Sequence, residues 1–281
     1  MSKIIATPSN TKEILDTYDL YAKKNYGQNF LVESQIVDKI ARNAVLTNNS
    51  VVLEVGPGIG ALTQFLAKYA KKVIAFEIDE RLIPVLADTL HEQDNVEVIH
   101  EDFLNIDLKA FVSKYDEVVV AANLPYYITT PILFKIFESD ANIKQITVMM
   151  QKEVADRFGA KVNSKDYNAL SIITQYNYEV KILMKISKHV FQPKPNVDSA
   201  VVCFTYRPSG LVKDEVAFFE MVKACFKQRR KTILNNFGVY LQDKEKAKIY
   251  LEQANILLQA RAESLTQDDF ICLYEVMCNG N

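Results

Sequence analysis

The stretch Val51-Val-Leu-Glu-Val-Gly-Pro-Gly-Ile-Gly60 decides how the chain is read. Four of its first five residues are apolar, and three glycines follow within five positions, in a protein with only 8 glycines. The apolar run predicts a buried parallel strand over Val51–Val55 that ends in a tight loop. Glycine at 56, 58 and 60 permits positive φ and lets a ligand approach the backbone closely. A plain strand-to-helix turn needs one glycine, not three. Ala61–Lys68 then reads as a helix whose N-terminal N–H groups face the same ligand.

Downstream, strand and helix alternate. Lys72–Asp79, Val96–His100, Glu117–Ala122 and Gln145–Met150 read as strands, and Glu80–Leu90, Ile132–Glu138 and Lys152–Phe158 as helices. Pro131 is placed at the first turn of its helix, where a missing N–H costs little. Upstream, Glu33–Val45 carries apolar residues at 36, 37, 40, 41, 44 and 45, a one-face helical pattern, and a short helix is expected near Thr11–Tyr18. This order argues for an α/β fold, a doubly wound Rossmann-like sheet. After a helix over Ala169–Tyr176, Glu179–Ile186 and Ala200–Tyr206 read as an antiparallel pair at the sheet edge. Beyond Arg207-Pro-Ser-Gly210 the pattern is helical, over 214–226, 229–237, 243–254 and 267–277. Residues 1–207 are therefore expected to form the α/β domain, and 208–281 a small all-α C-terminal domain.

Composition sets bounds. The chain has 281 residues, 49% apolar and 24% charged, as in ordinary globular proteins. No apolar run approaches a membrane span, and the start shows no signal-peptide core with a cleavage site. A cytoplasmic, non-membrane protein is expected. Cysteines 203, 225, 272 and 278 form no C-x-x-C pair, and histidines 91, 100 and 189 show no ligand spacing, so reduced thiols and no metal are expected. No exposed apolar stripe stands out, so a monomer is expected. The net charge of −2 gives no global hint of a nucleic-acid partner; any such partner must meet a local basic patch.

Candidate chemistry clusters at predicted strand ends. Glu77 lies 21 residues after Gly56, where a doubly wound fold sets a carboxylate on a ribose hydroxyl pair. Asp79 is read as the cap of the following helix. Asp102 sits just past the next strand. A glycine loop with a ribose carboxylate fits either NAD or S-adenosylmethionine, since Gly56, Gly58 and Ala61 satisfy a relaxed dinucleotide fingerprint. The discriminator is Asn123-Leu-Pro-Tyr126, at the end of the fourth strand of the series. The Asn side-chain oxygen and a backbone carbonyl can both accept from an exocyclic NH₂. Proline stiffens the turn and tyrosine offers a stacking face. Two acceptors localise the lone pair of an adenine amine, otherwise delocalised into its ring, for in-line attack on a methyl sulfonium. An oxidoreductase would need a hydride-handling His or Tyr-x-x-x-Lys near the site, and neither is there. DNA-adenine and protein-glutamine methylases usually show Asn/Asp-Pro-Pro-Tyr/Phe, whereas this chain has Leu124 second.

Gly27-Gln-Asn-Phe-Leu31, Glu54–Gly60, Asn123-Leu-Pro-Tyr-Tyr-Ile-Thr-Thr-Pro131 and Phe191-Gln-Pro-Lys-Pro-Asn-Val-Asp-Ser199 together resemble the signatures of the ribosomal RNA adenine dimethyltransferases. The resemblance runs from about residue 20 to the end. It implies a class I methyltransferase fold, S-adenosylmethionine as cofactor and N6,N6-dimethylation of adenine in rRNA. It implies that Asn29 and Leu31 cover the cofactor, with Gly56 and Gly58 beneath it. Glu77 would hold the ribose hydroxyls and Asp102 the cofactor's adenine amine, with Ile78 and Phe103 also cofactor-binding. Asn123 and the Leu124 carbonyl, on the turn stiffened by Pro125, would hold the target amine. Tyr126 and Phe191 would sandwich a flipped base, because a stacked base cannot reach the sulfonium. The stretch 123–132, Gln151–Arg157 and the full helical tail resemble the housekeeping branch. That branch modifies two adjacent adenosines in the terminal hairpin loop of small-subunit rRNA during subunit biogenesis. The alternatives are the antibiotic-resistance branch, acting on large-subunit rRNA, and an assembly factor with secondary catalysis.

Met221–Asn236 carries five cations and no acid. On a helix pair this makes a local positive face for phosphates, with Lys227, Arg229, Arg230 and Lys231 as candidate RNA contacts. Lys23, Lys24, Lys152, Arg157 and Lys194 surround the expected site loops and extend that surface.

Overall fold

A computed structural model describes residues 3–20, 29–139 and 141–280. The expectations on Lys23, Lys24, Gly27 and Gln28 fall outside these residues. The strands are β1 (Phe30–Leu31), β2 (Val51–Val55), β3 (Lys72–Glu77), β4 (Val96–His100), β5 (Val118–Asn123), β6 (Ile143–Gln151), β7 (Tyr178–Ile186), β8 (Phe191–Gln192) and β9 (Ser199–Tyr206). Seven of them form one sheet in the order β4-β3-β2-β5-β6-β9-β7, and β1 pairs with β8 in a separate two-stranded ribbon. β2 runs parallel to both β3 and β5, β5 parallel to β6, and β9 antiparallel to β6. The expected edge strands are thus in place, with β9 fully integrated and β7 outermost.

All five residues of β2 are buried, as a run of Val and Leu covered on both faces requires. The chain moves from β2 to β3 and β4 on one side, then crosses to β5 on the other. That reversal opens a crevice beyond the carboxyl ends of β2 and β5, where open α/β sheets take their ligands. The helix after the glycine loop is shorter than the apolar pattern suggested. Only Thr63–Leu66 is regular α-helix after the glycine loop, flanked by tighter bonds such as Phe65 N–H to Leu62 O (3.0 Å) and Lys68 N–H to Phe65 O (3.2 Å). So short a helix sums few peptide dipoles, and the side chains around the loop matter more than the helix end.

Two other differences have plain causes. The helix after β5 spans Tyr126–Phe137 and begins directly at the Asn-Leu-Pro turn, so Pro131 sits inside it rather than in its first turn. The exposed position lets the ring point outward, and the helix gives up the bond that residue 131 would donate to the Tyr127 carbonyl. The helix expected over 229–237 instead covers Ile233–Leu241. The basic run ahead of it is an exposed turn, and helix begins only where apolar Ile233 and Phe237 meet the core.

By its internal contacts the chain divides into one unit of residues 1–155 and 181–206 and a second of 156–180 and 207–281. Residues 156–180, read from sequence as part of the α/β domain, group with the helical unit. In that unit Phe218, Phe237 and Phe270 are fully buried in one core with Ile172, Leu251 and Leu273. Its basic turn is organised from within: buried Asn236 donates Nδ2 to the carbonyls of Cys225 (2.8 Å) and Gln228 (3.1 Å). Among the described residues no helix is long and apolar enough to cross a membrane.

Candidate active site

The glycine loop takes the backbone shape that its composition demands. Gly56, Gly58 and Gly60 have φ of 68°, 61° and 89°. A Cβ at Gly56 would lie 3.6 Å from the Leu124 side chain, and one at Gly58 3.4 Å from the Phe30 ring. The loop thus lies against both the Asn-Leu-Pro turn and β1. At Gly60 a Cβ would press on Leu90 at 3.1 Å.

One cavity opens over this loop, and every residue that the sequence placed at the cofactor or the reacting base lines it. Asn29, Leu31, Gly56, Gly58, Glu77, Ile78, Asp102, Phe103, Asn123, Leu124, Pro125, Tyr126 and Phe191 come together there. Glu77 ends β3 almost fully buried, and its two oxygens accept from the N–H groups of Asp79 (2.9 Å) and Gly58 (3.2 Å). Burial raises its pKa, and these backbone bonds oppose the rise. Asp79 caps the next helical turn by accepting from Arg81 N–H, as expected. Asp102 uses Oδ1 to cap Phe103–Asn105, accepting from Leu104 N–H at 2.9 Å. Ile78 is exposed over the cavity, while Phe103 is buried beside it.

At the carboxyl end of β5 the Asn123 side-chain amide makes no hydrogen bond to another described residue. The Leu124 carbonyl likewise accepts no backbone N–H there. Both acceptors therefore stand available at the cavity. Tyr126 is half-buried, with its hydroxyl 2.9 Å from Ser199 Oγ. Ser199 is fully buried at the start of β9. Phe191 enters from the ribbon, where Leu31 pairs with Phe191 and Phe30 with Gln192. Six stretches far apart in sequence thus supply one cavity.

Two members of the site were missed in sequence. Glu54, on β2, lines the cavity at 1% exposure, and its Oε2 has no hydrogen-bond partner. Burial pushes its pKa up to about 8, and the charge of nearby Glu77 adds to the rise. The signal was an acid inside an apolar run that sheet order buries on both faces. Ser199 was quoted only as the end of a motif; nothing in the sequence placed it opposite Tyr126.

The basic turn of the helical unit exposes Lys227, Arg229, Arg230 and Lys231. Arg229 donates to Glu263 Oε2 (3.2 Å) and to the Lys165 carbonyl (2.5 Å). Lys227, Arg230 and Lys231 have no ion pair among the described residues. No cluster of three or more His, Cys, Asp or Glu residues able to hold a metal ion occurs among them either.

The chain matches the family model described as ribosomal RNA adenine dimethylase over residues 20–278. It is 50% identical over 283 aligned positions to the ribosomal RNA small subunit methyltransferase A of Bacillus licheniformis, covering 97% of each chain. It is 48% identical to the protein of the same name from Bacillus pumilus, covering 99% of this chain and 98% of that one. Among solved structures it resembles a dimethyladenosine transferase from Plasmodium falciparum, with TM-score 0.75 and 28% identity over 88% of this chain and 97% of that one. It also resembles the 23S rRNA methyltransferase ErmE, with TM-score 0.70 and 27% identity over 89% of this chain and all of that one.

Proposed function

The chain belongs to the ribosomal RNA adenine dimethylase family, and from that premise we propose how its residues perform the reaction. It is an rRNA adenine dimethyltransferase of the small-subunit branch. It transfers methyl groups to N6 of two adjacent adenosines in the 3′-terminal hairpin loop of 16S rRNA. The full-length relatives named for the small subunit favour this branch over the large-subunit alternative. The observation that carries the mechanism is the pair of free acceptors at the end of β5, the Asn123 amide and the Leu124 carbonyl.

The cavity fits S-adenosylmethionine: positive-φ glycines give the close backbone approach, and the buried Glu77 carboxylate suits a ribose hydroxyl pair. When bound, this cofactor supplies an electrophilic methyl on a sulfonium. Gly56, Gly58, Asn29 and Leu31 enclose it. Glu77 and Ile78 take the ribose, and Asp102 and Phe103 take the adenine end. Asn123 Oδ1 and the Leu124 carbonyl accept both hydrogens of the target N6 amine. They orient its lone pair and shed water from around it. Tyr126 and Phe191 stack on the flipped ring. No general base is needed before attack, because the N-methylated amine is acidic and loses its proton readily. Substrate is met as rRNA in an immature small subunit in the cytoplasm, by a monomer.

The test is methyl transfer from labelled S-adenosylmethionine to small subunits that lack the modification, followed by nucleoside analysis. Dimethyladenosine in small-subunit RNA is expected. Label confined to large-subunit RNA would move the protein to the resistance branch, and bound cofactor with no transfer would leave a binding factor.

Ser199 is a positioning residue for Tyr126. Tyr126→Phe and Ser199→Ala should each lower kcat several-fold, and the double variant should be no worse than either single one. Independent, multiplying losses would dissociate Ser199 from the ring.

We assign phosphate contacts to the basic turn, with Arg229 also bracing it through Glu263. Replacing Lys227, Arg230 and Lys231 together with alanine should weaken subunit binding. It should also flatten the slope of log K against log salt by about 2, since each of the three lost contacts removes about 0.7 of a released counterion on single-stranded RNA. An unchanged slope would place the RNA elsewhere.

A further inference from the structure

We infer that Tyr127 is a second stacking platform, which holds the nucleobase next to the one undergoing methylation. The inference rests on the rRNA-dimethylating function above and concerns how the site takes two neighbouring adenosines.

Three observations meet at this residue. Its side chain lines the same cavity as Tyr126, yet Tyr127 is 62% exposed. An aromatic side chain on a helix that packs against the sheet normally turns inward, as Ile132, Leu133 and Ile136 of the same helix do. Tyr127 presents its ring at the mouth instead. Second, Pro131 lies four residues on and has no N–H, so the bond that a helix ordinarily sends to the Tyr127 carbonyl is missing. The Pro131 ring stands against that carbonyl instead. The aromatic face is therefore what Tyr127 offers a ligand, and a nucleobase complements it by stacking. Third, Tyr126 and Tyr127 are consecutive, and their Cα atoms are therefore about 3.8 Å apart. In a helix their side chains diverge by about 100°. Bases on the two rings would be neighbours that have been splayed rather than stacked on each other. Loop RNA permits that at low cost.

The division of labour follows. Tyr126 is tied by its hydroxyl to Ser199 and is half-buried, so it serves the reacting base. Tyr127 has a free ring face and serves the flanking base, which holds the strand in register while the first adenine is flipped. With two adjacent target adenosines, each can occupy either place in turn.

The test uses the full chain and small subunits lacking the modification, with steady-state kcat and KM measured for wild type, Tyr127→Ala, Tyr127→Phe and Tyr127→Trp. Losing one base–aromatic stack should lower kcat/KM of Tyr127→Ala about tenfold, mainly through KM, with cofactor affinity unchanged. Phe and Trp should restore it to within about twofold, because both keep a ring. Exposure of the side chain makes a folding defect easy to separate, by a thermal melt equal to wild type. Tyr127→Ala with wild-type kcat/KM would overturn the inference, as would Phe being as damaging as Ala, which would assign the role to the hydroxyl. A wild-type protein that puts no methyl on small-subunit RNA would fail the functional reading first and take this inference with it. That result is distinct from an active wild type with indifferent Tyr127 variants.

Discussion

Asn123→Ala should lower methyl transfer by about 10²–10³-fold, while cofactor affinity should change less than about tenfold. The size follows from what is lost. The target amine is a weak nucleophile because its lone pair is shared with the ring. On the proposed mechanism two acceptors, fixed before the base arrives, would localise that pair, and removing one would leave the Leu124 carbonyl to act alone. Asn123 ends β5 in register with Met149 of β6, so the sheet holds it in place at no cost during reaction. Asn123→Asp keeps an acceptor but adds charge near the buried Glu54 and Glu77, and should recover only part of the rate. Transfer rates are read in single turnover, and affinity by cofactor titration. A loss of less than about threefold would remove Asn123 from the chemistry. A parallel collapse of cofactor affinity would make it a cofactor ligand only.

The second large effect concerns pH and the folded state. Burial pushes the pKa of Glu54 up to about 8 from 4.5. The folded chain therefore holds a proton that the unfolded chain releases from about pH 4.5 upward. Its contribution to stability is fully present below pH 4.5 and is lost as pH rises to about 8, then levels off. A tenfold difference in proton affinity between the folded and unfolded chain corresponds to about 1.4 kcal/mol, so the loss over this window is on the order of 5 kcal/mol. Glu54→Gln keeps shape and hydrogen-bonding atoms without the proton equilibrium. The variant should match wild type at pH 5 and exceed it by that amount at pH 9. Urea unfolding of both proteins at pH 5, 7 and 9 measures the difference directly. Two curves that stay parallel across the range would mean that Glu54 is ionised in the fold.

Sequence legibility followed the strength of the local pattern. β2 and β4 were read to the residue, because an apolar run ended by glycine, or a five-residue alternation ahead of an acid, leaves little choice of boundary. The cavity was legible because its motifs carry chemistry that a core does not need, such as three glycines or Asn-Leu-Pro-Tyr. The ribbon of β1 and β8 was not. Two residues per strand have no period, and Phe30–Leu31 reads equally as loop or helix start. Pro131 misled for a physical reason: a helix that starts at 126 carries it at an exposed position, at the loss of one backbone bond. Glu54 was legible in principle, as an acid inside a strand flanked by Val and Leu. Its meaning depended on sheet order, which put strands on both sides of β2.

The pairing of Leu31 with Phe191 also sets a timetable. Strands β2 to β6, complete by Gln151, form an unbroken sheet of neighbours, and can assemble as they leave the ribosome. The wall of the cavity that carries Asn29, Leu31 and Phe191 must wait until residue 191 has been synthesised. Closing so long a loop is entropically slow relative to local contacts. A nascent chain of this protein therefore acquires its glycine loop and its amine-binding turn early and its enclosed pocket late. The half-made chain has the glycine loop and the Asn-Leu-Pro turn without the enclosure until about two thirds of its residues have been joined.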